Sequence, residues 1–165
     1  MINKQHRNYF FPTNISPLWT GCYDKNKKAD IVPKIIEYLN TIGALNHTGG
    51  IPTTMEETIE QWDMPNAWPP LQYIVVMSLD NLGIKDAQAI ADKIADRWME
   101  TNYRTFLKKK VMYEKYNVNN MGSAGESTGE YKMQEGFGWT NGIILEFLHK
   151  YRFTVNSTTW NITSK

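Results

Sequence analysis

At 165 residues, with 21% charged and 13% aromatic side chains and a formal net charge of +1, the chain has the composition of one globular domain. That balance excludes a strong electrostatic hold on nucleic acid or an anionic membrane, and the run Lys108-Lys109-Lys110 reads as a solvated helix face. Cys22 is the single cysteine, so neither an internal disulfide nor a zinc cluster is in view, and no apolar run reaches the length of a membrane span.

In chain order, the opening MINKQHRNYF lacks the apolar core of a signal peptide. N-x-S/T triplets begin at Asn14, Asn46, Asn156 and Asn161; each is a glycan acceptor only in a chain that enters the secretory path, and Pro17 weakens the first. The first stretch is irregular, punctuated by Pro12, Pro17 and Gly21. A first helix follows, capped at Ala29 or Asp30, with Pro33 in its first turn. Val32, Ile35, Ile36, Leu39 and Ile42 recur at helical spacing, and Gly43 ends the run. A long loop comes next, of a length that in compact domains is often functional. A second helix starts at Pro69 or Pro70 and runs to Leu82; LQYIVVMSL is apolar nearly all round, which predicts deep burial. The third begins near Asp86, puts Ala87, Ile90, Ala91, Ile94 and Trp98 on one stripe, and extends through Phe106 and Leu107 towards Met112. The Gly/Ser/Asn-rich NVNNMGSAGESTGE breaks the regularity. A last helix covers about Trp139 to Tyr151, and the polar residues 154–165 read as a frayed tail. No segment reads as a strand. The class is all-α, with long ordered loops between the helices.

Those loops hold the unusual chemistry. QWDMPNAWPPLQ, Gln61 to Gln72, has too many prolines for a helix or a central strand and too many large aromatics for a solvated loop. Flat indoles beside Gln61 and Asp63 suit sugar rings, whose C–H faces pack on Trp62 or Trp68 while hydroxyls meet carboxylate and amide. The plainer alternative makes both tryptophans core plugs and Asp63 a helix cap. In VMYEKYNV, Glu114 sits where the long helix ends, a place that suits a general base, although a surface Glu-Lys pair is the commoner reading. In TGEYKMQEGFGWTNG, Gly129, Gly136, Gly138 and Gly142 permit tight backbone around Glu130, Phe137 and Trp139. That permits a loop wrapped on a ligand, or simply a turn before a helix with Thr140 or Asn141 near its cap. A phosphate-loop lysine and a nucleophile elbow are both missing, and His6, His47 and His149 stand singly, so no cofactor or metal is expected.

Taken together and in this order, QWDMPNAWPPLQ, EKYNV and GEYKMQEGFGWTNG resemble the C-terminal third of the α,α-trehalases, glycoside hydrolase family 37. The likeness runs from about residue 15 to about residue 150. It implies that residues 1–165 are the C-terminal part of a trehalase catalytic domain, and part of an (α/α)6 barrel of the six-hairpin glycosidase type. It also implies hydrolysis of trehalose to two glucose molecules with inversion. On this resemblance Glu114 is the general base and Glu130 a sugar-contacting carboxylate. Trp62 lines the glucose site, Phe137 and Trp139 are weaker candidates for its wall, and Asp63 is support.

The chain departs from the family pattern in three places. Ala67 stands for a glycine before Trp68, Pro69 stands for an alanine, and MGSAGESTGEY replaces a run of glycines, where added Cβ atoms at positive φ would strain a lid. Family enzymes are much longer, and their catalytic aspartate acid lies upstream of anything present here. The chain is therefore expected to be inactive alone, to need the missing N-terminal portion of the barrel as partner, and to leave apolar faces uncovered. The alternative is a non-catalytic remnant that binds carbohydrate or an intact trehalase. Likeness to animal trehalases, with the sequons, implies a secreted or cell-surface place for the complete protein; for this chain no location is assigned.

Overall fold

The apolar run after Pro70 and the stripe after Asp86 become the two helices around which the fold is built. The computed structural model describes residues 9–127 and 131–151. Among them are α1 (Ser16–Thr20), α2 (Lys28–Thr41), α3 (Pro69–Asp80), α4 (Lys85–Lys109) and α5 (Gly138–Lys150). One antiparallel pair joins β1 (Asn66–Ala67) to β2 (Tyr116–Asn117), with Asn66 opposite Asn117 and Ala67 opposite Tyr116. That pairing corrects the expectation of no strand; two residues a side are too few to leave an alternating pattern.

α3 lies at the centre, packed on α4, on α1 with the 3-10 turn before it, and on α5. As expected it is buried on most sides, with Gln72, Val75, Val76, Met77, Ser78 and Leu79 all inside. Each large aliphatic here contributes about 1.5–3 kcal/mol of burial. On α4 the predicted stripe is inside, with Ala87, Ala91, Ile94 and Trp98 buried and Ile90 partly so, and Ala95 and Met99 join it in the core. α4 stops before Met112, because Lys110 takes the left-handed conformation (φ 62) while its N–H still reaches the Phe106 carbonyl. α2 begins earlier than expected. A 3-10 turn, Lys25–Lys27, is capped by Asp24, whose Oδ1 accepts from the Asn26 N–H at 3.0 Å. Ala29 and Asp30 thus lie within the helix, which runs on through Pro33 at the loss of one backbone bond.

Polar ties, part-buried at Arg97 and buried at Gln72, close the long loop after α2 onto this core. Arg97 donates from Nη1 to the Leu45 and His47 carbonyls, at 2.6 and 2.9 Å. Gln72 accepts from the Ile51 N–H at 2.8 Å and donates to the Ile51 carbonyl at 2.5 Å. Gly50 (φ 130) lets the backbone pass there, since a Cβ would fall 2.6 Å from Gln72 Oε1. Gln72→Leu should therefore cost about 1–3 kcal/mol for each Ile51 group left unpaired. Urea unfolding checks this: the midpoint should fall with the slope unchanged, and an unmoved midpoint would remove the role given to Gln72.

Apolar surface does remain uncovered. On α5, Leu145 and Leu148 stand 68% and 47% exposed, and Ile59 is exposed in the loop before the first motif. No helix among the described residues is long and apolar enough to cross a membrane.

Candidate active site

The first and third sequence motifs meet at Trp68. This residue occupies the N-cap position of α3, extended, with Pro69 opening the helix behind it. Its ring is 3% exposed, and its Nε1 donates to the Gln61 carbonyl at 3.2 Å. Trp62, 45% exposed, stacks on it with centroids 4.1 Å apart and planes 14° from parallel. Trp139, from the first turn of α5, stands edge-on to Trp68 at 5.6 Å, and Phe137 lies 4.5 Å from Trp139. A continuous aromatic wall results, with Trp62 as its open end. The core-plug reading holds for Trp68 and fails for Trp62.

β2 brings the second motif against this wall. Glu114 and Lys115 are 1% and 0% exposed, so the surface-pair reading is overturned. Glu114 also lies beyond α4, which ends at Lys109 and not at Glu114 itself. Its Oε2 accepts from the Tyr131 hydroxyl at 2.6 Å and its Oε1 from the Gln134 N–H at 3.1 Å. Trp139 Nε1 donates to the Glu114 carbonyl at 3.2 Å. The hydrogen bond to Glu114, with burial, pushes the Tyr131 phenol up to about 12, so at neutral pH it remains a donor. Thr140 does not cap α5, whose N-cap is Phe137; its hydroxyl donates to the Tyr113 carbonyl at 2.7 Å and ties the helix to the Glu114 segment.

Lys115 was not singled out by its sequence context. Its Nζ stands 5.4 Å from the Trp68 ring centroid and 5.6 Å from that of Tyr131. Among the described residues it has no hydrogen-bond partner. Burial holds this ammonium below its ordinary range, opposed by the Glu114 and Glu126 carboxylates. The glycine-rich loop closes over its stem. The Gly125 N–H donates to the Lys115 carbonyl at 3.0 Å, and a Cβ on Gly125 would fall 2.7 Å from Lys115 Cγ and 2.8 Å from Asn66 Oδ1. Asn66 Oδ1 in turn accepts from the Glu126 N–H at 2.7 Å. The strain expected of the substituted loop is not present in its described part: Gly122 (φ 80) takes the positive φ, while Ser123, Ala124, Glu126 and Ser127 do not. Ala67, likewise without positive φ, is buried in the β pair.

One expected site residue, Asp63, is held outside this cluster. Asp63 does not cap α3; its oxygens accept from Thr54 Oγ1 at 2.7 Å and Thr58 Oγ1 at 2.6 Å, a supporting role within its own loop. It lines a separate cavity of about 360 Å³ with Tyr9, Phe11 and Met55. Glu130 lies outside the described residues, as does the tail 154–165. No cluster of three metal-ligating side chains occurs among the described residues.

A buried carboxylate stands beside a wall of indoles, carried on loops between packed helices, on a fold of the kind found in helical-barrel glycosidases. The structure is similar to that of the neutral trehalase of Saccharomyces cerevisiae, with a TM-score of 0.65 and 25% identity, covering 88% of this chain and 24% of that one. It forms part of an (α/α)6 barrel of that kind. The model of the Trehalase family matches residues 1–152. The trehalase of Apis mellifera is 46% identical over 151 residues, 92% of this chain and 24% of that protein, and that of Homo sapiens is 43% identical over 148 residues, 90% and 25% respectively. The chain belongs to the trehalase family. It spans about a quarter of the length of the curated relatives it matches, rather than the expected third.

Proposed function

We propose that residues 1–165 form the C-terminal part of a trehalase catalytic domain and supply the general base and an aromatic sugar wall for the inverting hydrolysis of trehalose to two glucose molecules. The observation that carries this reading is the setting of Glu114, buried, held by two donors, and with its backbone carbonyl bonded by Trp139 of the aromatic wall. A carboxylate has about four lone-pair sites, so two accepted bonds fix its orientation and leave capacity for a water. In an inverting reaction that water attacks the anomeric carbon from the face opposite the departing glucose and gives its proton to the base. A carboxylic acid on the other side protonates the glycosidic oxygen, with the two carboxyl groups roughly 6.5–9.5 Å apart. Glu114 takes the first role, and the acid comes from residues outside these 165. Trp62 offers its open face to the sugar, Phe137 and Trp139 continue the wall, and Asp63 holds the first motif in shape. Glu130 is assigned a sugar hydroxyl on its motif alone.

Glucose release from trehalose tests the division of labour. The 165-residue chain by itself should release none above a Glu114→Gln control, and should become active when completed with the remaining three quarters of the Apis mellifera relative. Release by the chain alone, abolished by Glu114→Gln, would mean that the acid lies within these residues.

A further inference from the structure

We propose that Lys115 is a positioning residue that couples the sugar wall to the base, an inference that rests on the reading of Glu114 just given. A fully buried ammonium without a hydrogen-bond partner among the described residues is a costly group to retain, and apolar replacements of buried charges are often neutral or stabilising. What Lys115 does have is two ring faces, Trp68 at 5.4 Å and Tyr131 at 5.6 Å. A cation is drawn to the face of a ring and not its edge, so one nitrogen shared by two rings constrains the orientation of both.

Each ring then passes that constraint to a different part of the site. Trp68 carries the stacked Trp62, the open end of the wall, and meets Trp139 edge-on. Tyr131 donates to Glu114 Oε2 at 2.6 Å. The lysine stem itself has little room to wander, because the Gly125 backbone lies against its Cγ. The ammonium is thus a hub: on one side it sets the wall on which glucose rests, on the other the phenol that aims the base. Displacing it moves the two reacting partners relative to one another, an effect to which catalysis is sensitive even at the scale of an ångström.

The test uses the chain completed with the rest of the Apis mellifera relative, with trehalose as substrate and a double-mutant cycle as readout. Lys115→Met keeps the volume and removes the charge; it should lower kcat/KM by about tenfold or more while the melting temperature holds or rises. Lys115→Arg should restore activity to within about threefold of the parent. Tyr131→Phe keeps the ring under the ammonium but removes the donor to Glu114. If Lys115 acts through Tyr131, the double variant loses little beyond the larger single loss. Losses that multiply, or a Lys115→Met enzyme with parental kcat/KM, overturn the proposal. Should Lys115→Met not fold, Lys115→Arg decides: near-parental activity supports the role, and a fall of about thirtyfold at an unchanged melting temperature counts against it. Glu114→Gln separates the two layers. If that variant is inactive and Lys115→Met is parental, only the role of Lys115 fails; if Glu114→Gln is active, the base assignment itself fails.

Discussion

Glu114→Gln in the completed enzyme should lower kcat by about 10²–10⁴-fold while leaving KM for trehalose within about threefold. The substitution is close to isosteric, and the site can absorb it. Oε1 of the new amide still accepts from the Gln134 N–H, and its NH₂ donates to the Tyr131 oxygen, which turns from donor to acceptor. Only the part-buried Tyr131 O–H loses its acceptor, at a cost of about 1 kcal/mol, so the melting temperature should fall by no more than a few degrees. The loss is therefore chemical: an amide cannot take the proton from the attacking water. Steady-state kinetics with a thermal melt on the same preparation makes the check. Retention of more than about a tenth of parental kcat would end the assignment of Glu114 as base.

The two stacked tryptophans should part company when each is cut to alanine. Trp68→Ala removes a buried indole that touches Trp62, Trp139 and Lys115 together, and should cost about 3–5 kcal/mol of stability along with activity. It also strips the cation of one of its two ring faces, leaving a buried charge worse compensated than before. Trp62→Ala removes a half-exposed ring stacked on Trp68, and should cost about 1 kcal/mol or less. Its effect should appear instead in binding, as a rise in KM for trehalose of about tenfold, the share of a flat stacking surface. Urea unfolding and saturation kinetics on the two variants distinguish the cases. Equal destabilisation by both would mean that Trp62 is core and not sugar wall.

Helices α3, α4 and α5 were legible in the residues because their information is local. An apolar run opened by Pro69, a stripe repeating from Ala87 to Trp98, and a glycine-flanked Trp139 each declare a helix within a few turns of chain. The motif trio carried the family in the same way, as rare residues at close spacing, and Glu114 with its aromatic companions came with it. The start of α2 was misjudged because Asp24 caps a 3-10 turn ahead of the helix, a signal that looks from the residues alone like ordinary loop chemistry.

The working arrangement of the site had no such local trace. A lysine beside a glutamate reads as a surface pair, and it took a β bridge between Ala67 and Tyr116 to draw both inside. The phenol that holds Glu114 lies 17 positions away, and the amide donor held by Asn66 lies 60 away. Asp63, placed beside the sugar by its motif, also ties Thr54 and Thr58 through its two oxygens once the loop is closed. Periodicity and propensity describe neighbours along the chain, so they specify which elements form. Burial, donor direction and the approach of Gly125 to Lys115 depend on which distant segments share a space, and that is settled only when α3 and α4 have packed and the loops have closed over them.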